Sequence, residues 1–198
     1  MTTKGCQKTL DPDFVLRAYC SGFFPMADSR TGEISWYSPD PRTIIPLATF
    51  NISRSLRHVI RKQIFEIRID TAFRDVIRSC ARREDTWISE EIVETYAVLH
   101  STGYAHSVES WWGDRLVGGL YGVAIGGAFF GESMFSAVSN ASKVALVHLV
   151  EFLTRRNFTI LDAQFISEHL KQFGAIEIPR SVYLNVLSKA LEVDTRFT

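Results

Sequence analysis

FGESMFSAVSNASKVAL, residues 130–146, is the stretch on which the reading of this chain turns. An apolar run starting at Phe130 is broken by a carboxylate, Glu132. It then passes a Ser/Asn-rich corner and enters a strongly apolar stretch. The pattern predicts a strand that turns into a helix at Ala141, capped by Asn140 or Ser139. Burying an unpaired charge is costly or forces its neutralisation, so Glu132 calls for a partner or a ligand. A second apolar stretch, TILDAQF at 159–165, is broken in the same way by Asp162 and Gln164. Side chains two apart on a strand share a face. Glu132 with Met134, and Asp162 with Gln164, are therefore expected to point together, and a sheet pairing the two strands would gather all four around one cleft. The alternative is that Asp162 caps the following helix and Gln164 is a buried hydrogen-bonding side chain. Spacing alone leaves both open.

Working outward, Asp11-Pro12 predicts a helix start, with Gly22 as its stop. FFPMAD breaks the pattern, and the turn-rich SPDPR at 38–42 marks a joint. This predicts a small N-terminal domain, 1–41, and a main domain, 42–198. The main domain opens with a short strand near Arg42–Leu47 and a basic helix capped by Ser53. Phe65, Ile67 and Ile69 alternate as in a strand. Helices follow near Ala72–Arg83 and from the Ser89 cap to Gly103, the latter with Ile92, Val93, Tyr96 and Leu99 on one stripe. Three strands, near Ala105–Trp112, Leu116–Val123 and Ala128–Phe135, are joined by turns at Gly113-Asp114 and Gly126-Gly127. After the helix from Ala141 to about Arg156 come a strand at Phe158–Gln164, a helix near Glu168–Phe173 closed by Gly174, and a last helix from Pro179. The order β-α-α-β-β-β-α-β-α from Phe65 is a mixed α/β (α+β) arrangement and argues against a doubly wound parallel sheet. It resembles the GNAT acyltransferases. In that fold the corner after the fourth strand binds coenzyme A pyrophosphate through a glycine-rich turn. Here the corner is SAVSNASK, without a GxG, so an acyl donor other than coenzyme A is expected.

The bulk numbers are those of an ordinary globular chain: 198 residues, 46% hydrophobic, 22% charged, formal net charge zero. Neutrality hides an asymmetry, because the segment from Ser53 to Arg83 holds nine Lys/Arg against three Asp/Glu. Such a segment either attracts phosphates or forms solvated helix faces. The three cysteines, Cys6, Cys20 and Cys80, have no metal-like or CxxC spacing, which suggests a reduced, cytoplasmic protein. No signal-peptide pattern or membrane-length apolar run is visible, so no membrane partner is expected.

Other chemistries find little support. His100, His106 and His148 lack ligand spacing, so no metal is expected. There is no GxSxG. His169 reads first as a structural surface residue, and Lys143 in SNASK reads as part of a helix start, free to reach an anion. Most aromatics read as core. Trp87 differs, because it sits in a predicted loop beside Arg82 and Arg83.

FFPMAD, WYSPDPRTIIPL, TWI at 86–88, GYAHSVESWW, LVGGLYGV, GESMFS, NASKVAL, LDAQF and HLKQFGAIEIPR occur in this order along the chain. With these segments it resembles the leucyl/phenylalanyl-tRNA–protein transferase family over nearly its whole length. The resemblance implies a GNAT-like aminoacyltransferase domain behind a small N-terminal domain, with no cofactor. It implies transfer of Leu or Phe, with Met also admissible, from Leu-tRNA or Phe-tRNA to the α-amine of a protein beginning with Lys or Arg, marking it for N-end rule degradation. By motif, Gln164 would accept a hydrogen bond from the attacking amine, Asp162 would orient or polarise that Gln, and Glu132 would position the aminoacyl group or the amine. Amide oxygen is a feeble base, so positioning is favoured over deprotonation. Matching pocket positions are Leu120, Met134, Leu149, Leu153 and Ile160. Trp87 and Met26 fall where the family holds the terminal adenosine. The basic helix with Arg54, Arg57, Arg61 and Lys62 would hold tRNA phosphates without reading sequence. No DNA partner and a monomeric state are expected.

The chain departs from the family pattern at Met26, where an aromatic is usual. It departs also at Ala137, where an arginine is common, and at Ala163, which makes DCQ into DAQ. The short N-terminus suggests a trimmed small domain. Two other readings compete: a related leucyl transferase for acidic N-termini, and a non-catalytic GNAT-like RNA- or peptide-binding module.

Overall fold

A computed structural model describes residues 10–83 and 85–198. The N-terminal segment with Cys6, and Glu84, lie outside the described residues. Helix α1 spans Pro12–Cys20, with the Asp11 carboxylate accepting the Asp13 N–H at its start. FFPMAD, expected only to break the pattern, forms strand β1 (Phe24–Ala27), which pairs antiparallel with β2 (Ile34–Tyr37). Their small hairpin is a sheet of its own.

The main sheet has seven strands in the order β4-β5-β6-β7-β8-β3-β9. Strand β3 is Arg42–Ile45, β4 is Glu66–Ile69, β5 is Ala105–Trp112, β6 is Arg115–Ile125, β7 is Ala128–Ser136, β8 is Ile160–Gln164 and β9 is Ile176–Ile178. All pairings are antiparallel except β7 with β8. The mixed α/β expectation therefore holds, and the three-strand meander lies where alternation placed it. The short β9 was not foreseen: IEI is too brief to show a period.

Each face of the sheet carries its own apolar layer. On one lie α1, α3 (Phe73–Ala81), α4 (Glu90–Ser101) and α7 (Arg180–Leu191), through Tyr19, Ile77, Ile92, Tyr96, Leu187 and their neighbours. On the other lie α2 (Arg54–Arg61) and α5 (Ala141–Arg155), through Leu56, Val144, Leu149 and Leu153. A helix α6 (Glu168–Lys171) follows β8. None of the helices among the described residues is long and apolar enough to cross a membrane.

The corner before α5 differs from expectation. Neither Ser139 nor Asn140 caps the helix through its side chain, and Asn140 is left-handed at φ 69°. Instead the Ser136 hydroxyl accepts the Ser142 N–H (3.2 Å) and donates to the Val138 carbonyl (2.8 Å). The end of β7 thus fastens the start of α5. Gly118 on β6 allows close approach here, since a Cβ at that position would stand 2.5 Å from the Ala141 Cβ.

Candidate active site

The parallel pairing of β7 with β8 ends at Phe130 opposite Asp162, although β7 runs on to Ser136. Where the strands part, a cavity of about 960 Å³ opens between them. Glu132, Met134, Asp162 and Gln164 all line it, as the two-strand argument anticipated. The shared-face premise fails for one pair. The β6/β7 register shifts so that Tyr121 opposes Ser133 while Gly122 opposes Gly131, leaving Glu132 as a bulged extra residue. A bulge reverses the alternation beyond it. Glu132 therefore meets Tyr96 in one layer, while Met134 packs with Leu120 in the other. Both still reach the cavity because it lies between strands.

Asp162 is fully buried, and both of its oxygens are occupied. Oδ1 accepts from Arg42 Nε (2.9 Å) and from the Gln164 main-chain N–H (2.9 Å). Oδ2 accepts from Arg42 Nη2 (2.6 Å) and from the Tyr183 hydroxyl (2.7 Å). The cap alternative is excluded, because α6 is capped by the Ser167 hydroxyl accepting the Leu170 N–H. Burial disfavours the Arg42 cation, yet the bonds and charge of Asp162 outweigh this and raise its pKa. Burial, followed by the Asp162 charge, pushes Tyr183 up as well. Gln164 sits at φ 56°, a left-handed conformation that costs a residue with a Cβ about 1–2 kcal/mol. Its N–H bond to Asp162 opposes that cost. Asp162 thus touches Gln164 through the backbone and not through the side-chain amide.

Glu132 is the group with an altered charge state. Burial raises its pKa to about 8, with the Asp162 charge adding to the shift. Its bond with Tyr19 and the Arg42 charge hold the shift back. Its carboxyl accepts from the Tyr96 hydroxyl at 3.4 Å, and Tyr96 in turn contacts the Tyr19 hydroxyl. Gln164 Nε2 donates to Glu132 Oε1 at a long 3.5 Å. With the amide nitrogen turned to Glu132, the Gln164 carbonyl has no side-chain or backbone partner among the described residues.

The expected pocket positions divide between the cavity lining and the core. Leu120, Met134 and Leu149 line the cavity. Leu153 and Ile160 do not. Leu153 lies one helical turn beyond Leu149 and is fully buried, whereas Ile160 belongs to the layer on the opposite face. Ile45, Leu146 and Leu161 take their places.

Trp87 lines the cavity from the loop between α3 and α4. Its carbonyl accepts the Ala27 N–H (3.1 Å), which brings the Met26 segment beside it, although Met26 itself does not line the space. Arg82, Arg83 and Lys143 supply cations to the rim. Arg83 donates to the Met134 carbonyl. Lys143 donates to Gln172 (3.1 Å).

The basic segment splits in two. Arg74 pairs with Glu94 and Arg78 with Glu90, which makes a solvated α3–α4 seam. Arg54, Arg57, Arg61 and Lys62 are exposed, have no ion pair among the described residues and lie away from the cavity lining. His169 lines the cavity, and its ring Nε2 is buried without a partner among the described residues. Burial and then Lys143 lower its pKa. Among the described residues no cluster of three or more His, Cys, Asp or Glu side chains is placed to hold a metal.

Sequence reasoning missed Arg42, Tyr183, Tyr19 and Tyr96. Arg42 carried a usable signal, a charge opening the apolar strand RTII, of the same kind that drew attention to Glu132. The tyrosines carried none, since each falls on an apolar helix stripe as a core aromatic does.

A cleft joining an apolar wall to a buried carboxyl and an amide with a free carbonyl suits the holding of an acyl group beside a nucleophile. Those are the requirements of group transfer. Two family models match: "Leucyl/phenylalanyl-tRNA protein transferase" over residues 44–188 and the N-terminal domain of the same family over residues 8–40. The leucyl/phenylalanyl-tRNA–protein transferase of Gloeobacter violaceus is 56% identical over 96% of this chain and 98% of its own length. That of Herpetosiphon aurantiacus is 52% identical over 96% of this chain and 99% of its own. Among solved structures, "The structure of L-PGS from Bacillus licheniformis" aligns at TM-score 0.45 with 12% identity, covering 90% of this chain and 70% of that one. The chain belongs to the leucyl/phenylalanyl-tRNA–protein transferase family and is an enzyme.

Proposed function

We propose that the protein transfers leucine or phenylalanine from aminoacyl-tRNA to the N-terminal α-amine of an acceptor protein. In this reading the aminoacyl side chain occupies the wall of Leu120, Met134 and Leu149, next to Gln164. The observation that carries it is the placement of Gln164. Its nitrogen is engaged by Glu132, and its carbonyl is open to the cavity beside that wall. A carbonyl so placed accepts a hydrogen bond from an attacking amine and aims its lone pair. The tRNA ester is already activated, so aminolysis needs orientation more than strong base catalysis.

Glu132 and Asp162 are the acids in the cavity lining, and all the bonding of Asp162 is directed inward. Glu132 is therefore the acid left to hydrogen-bond the acceptor amine. The acceptors in this reading begin with Lys or Arg, as the family resemblance implies, since a carboxyl that holds its proton does not by itself choose between basic and acidic N-termini. Arg82, Arg83 and Lys143 suit the phosphate end of the donor, with Trp87 stacking on the terminal adenosine. Residues Arg54, Arg57, Arg61 and Lys62 hold the acceptor stem. The product is a protein marked for N-end rule degradation. The test is labelled-leucine transfer from Leu-tRNA to peptides beginning with Lys, Arg, Asp or Glu. Transfer to the basic pair is expected. Transfer to the acidic pair alone refutes the acceptor assignment, and transfer to none refutes the enzymatic reading of this site.

A further inference from the structure

Arg42 stands where three parts of the chain meet, between the stretches matched by the two family models. Its guanidinium lies 4.8 Å from the Phe24 ring of β1 and 4.6 Å from the Tyr183 ring of α7. Nη1 donates to the Gly22 carbonyl at 3.1 Å, and the fork of Nε and Nη2 grips Asp162. Tyr183 donates to the same Oδ2 that Nη2 holds. The Arg42 and Asp162 side chains are essentially without solvent contact. A bidentate charged pair with a third donor on one oxygen leaves the carboxylate a single orientation.

That orientation has a consequence at Gln164. The oxygen not used by Tyr183 is the one that accepts the Gln164 N–H. This bond holds a non-glycine residue left-handed. If the carboxylate rotates, the bond is lost, the backbone relaxes toward the extended region and the amide side chain leaves its place beside Glu132.

We propose that Arg42 and Tyr183 are positioning residues for aminoacyl transfer: they hold Asp162 so that its backbone bond keeps the Gln164 carbonyl aimed into the cleft. Neither reaches substrate. The N-terminal domain, through Gly22 and Phe24, thereby supports the transfer step as well as any part it has in donor binding. The inference rests on the role proposed above for Gln164.

The test is a double-substitution cycle on the full chain. Tyr183→Phe removes one donor and keeps the ring against Arg42, so folding is preserved; Arg42→Lys is the stronger variant. Tyr183→Phe is expected to lower kcat about tenfold and Arg42→Lys about a hundredfold, with KM for Leu-tRNA changed less than about twofold. In a Gln164→Ala background, Tyr183→Phe is expected to lower kcat no further. A similar fall in both backgrounds would mean a general structural effect and overturn the inference, as would a Tyr183→Phe enzyme with unchanged kcat. Full activity of Gln164→Ala alone would overturn the Gln164 assignment and this inference together, which separates the two kinds of failure.

Discussion

Replacing Glu132 by Gln should change how stability depends on pH, and by an amount the structure sets. In the folded chain burial holds the carboxyl's pKa near about 8, against the ordinary 4.5 when unfolded. Between those two values the native state carries a proton that the unfolded state has released. Stability therefore falls as pH rises, by about 1.4 kcal/mol per unit while the difference is complete. The contribution is fully present below the unfolded pKa and is gone once pH passes the folded one. From about pH 6 to about pH 8 the loss is about 2 kcal/mol, because the slope fades as the folded group itself titrates. Glu132→Gln cannot release a proton and lacks this term. Urea unfolding of both proteins across that range gives the difference curve, in which the histidines and other shared titrations cancel. Wild type should lose about 2 kcal/mol relative to the variant between the two pH values. Parallel curves would refute the placing of Glu132 as a desolvated, proton-holding group.

Three further outcomes follow from the same geometry. Asp162→Ala should destabilise by about 3–5 kcal/mol in urea unfolding, because it strands the buried Arg42 charge; a loss under about 1 kcal/mol would mean the pair is solvated. Gln164→Ala should leave the unfolding midpoint and Leu-tRNA affinity nearly unchanged while slowing transfer at least about tenfold, and equal losses in binding and rate would count against an orienting role. Replacing Arg54, Arg57 and Arg61 together by Ala should weaken tRNA binding and reduce its log–log salt slope by about two to three; an unchanged slope removes α2 from the footprint.

Glu132, Asp162 and Gln164 were legible in the sequence because each interrupts an apolar run, and a desolvated polar group demands a partner. The partners were not legible. Arg42 and Asp162 are 120 residues apart, and no local pattern links them. Leu153 and Ile160 fall outside the cavity lining for two different reasons. Periodicity gives a helix face but not how far along it a cavity extends. Strand alternation gives two faces but not which one the cavity adjoins. The inverted direction of Met134 had a third cause. A bulge is a property of two paired strands, and the sequence of one strand does not announce it.

Taken alone, the sequence determined the helices and the longer strands, their order, the mixed α/β class and the polar breaks that line the cavity, but not the short strands β1, β2 and β9. Those features depend on interactions within a turn or two, and periodicity records them directly. Only the tertiary structure decided that β3 inserts between β8 and β9, that β7 and β8 part beyond Phe130, and that Arg42 joins Gly22, Phe24 and Tyr183 to Asp162. Those outcomes depend on packing between segments far apart in the chain, where the cost of a buried charge selects the one arrangement that satisfies it.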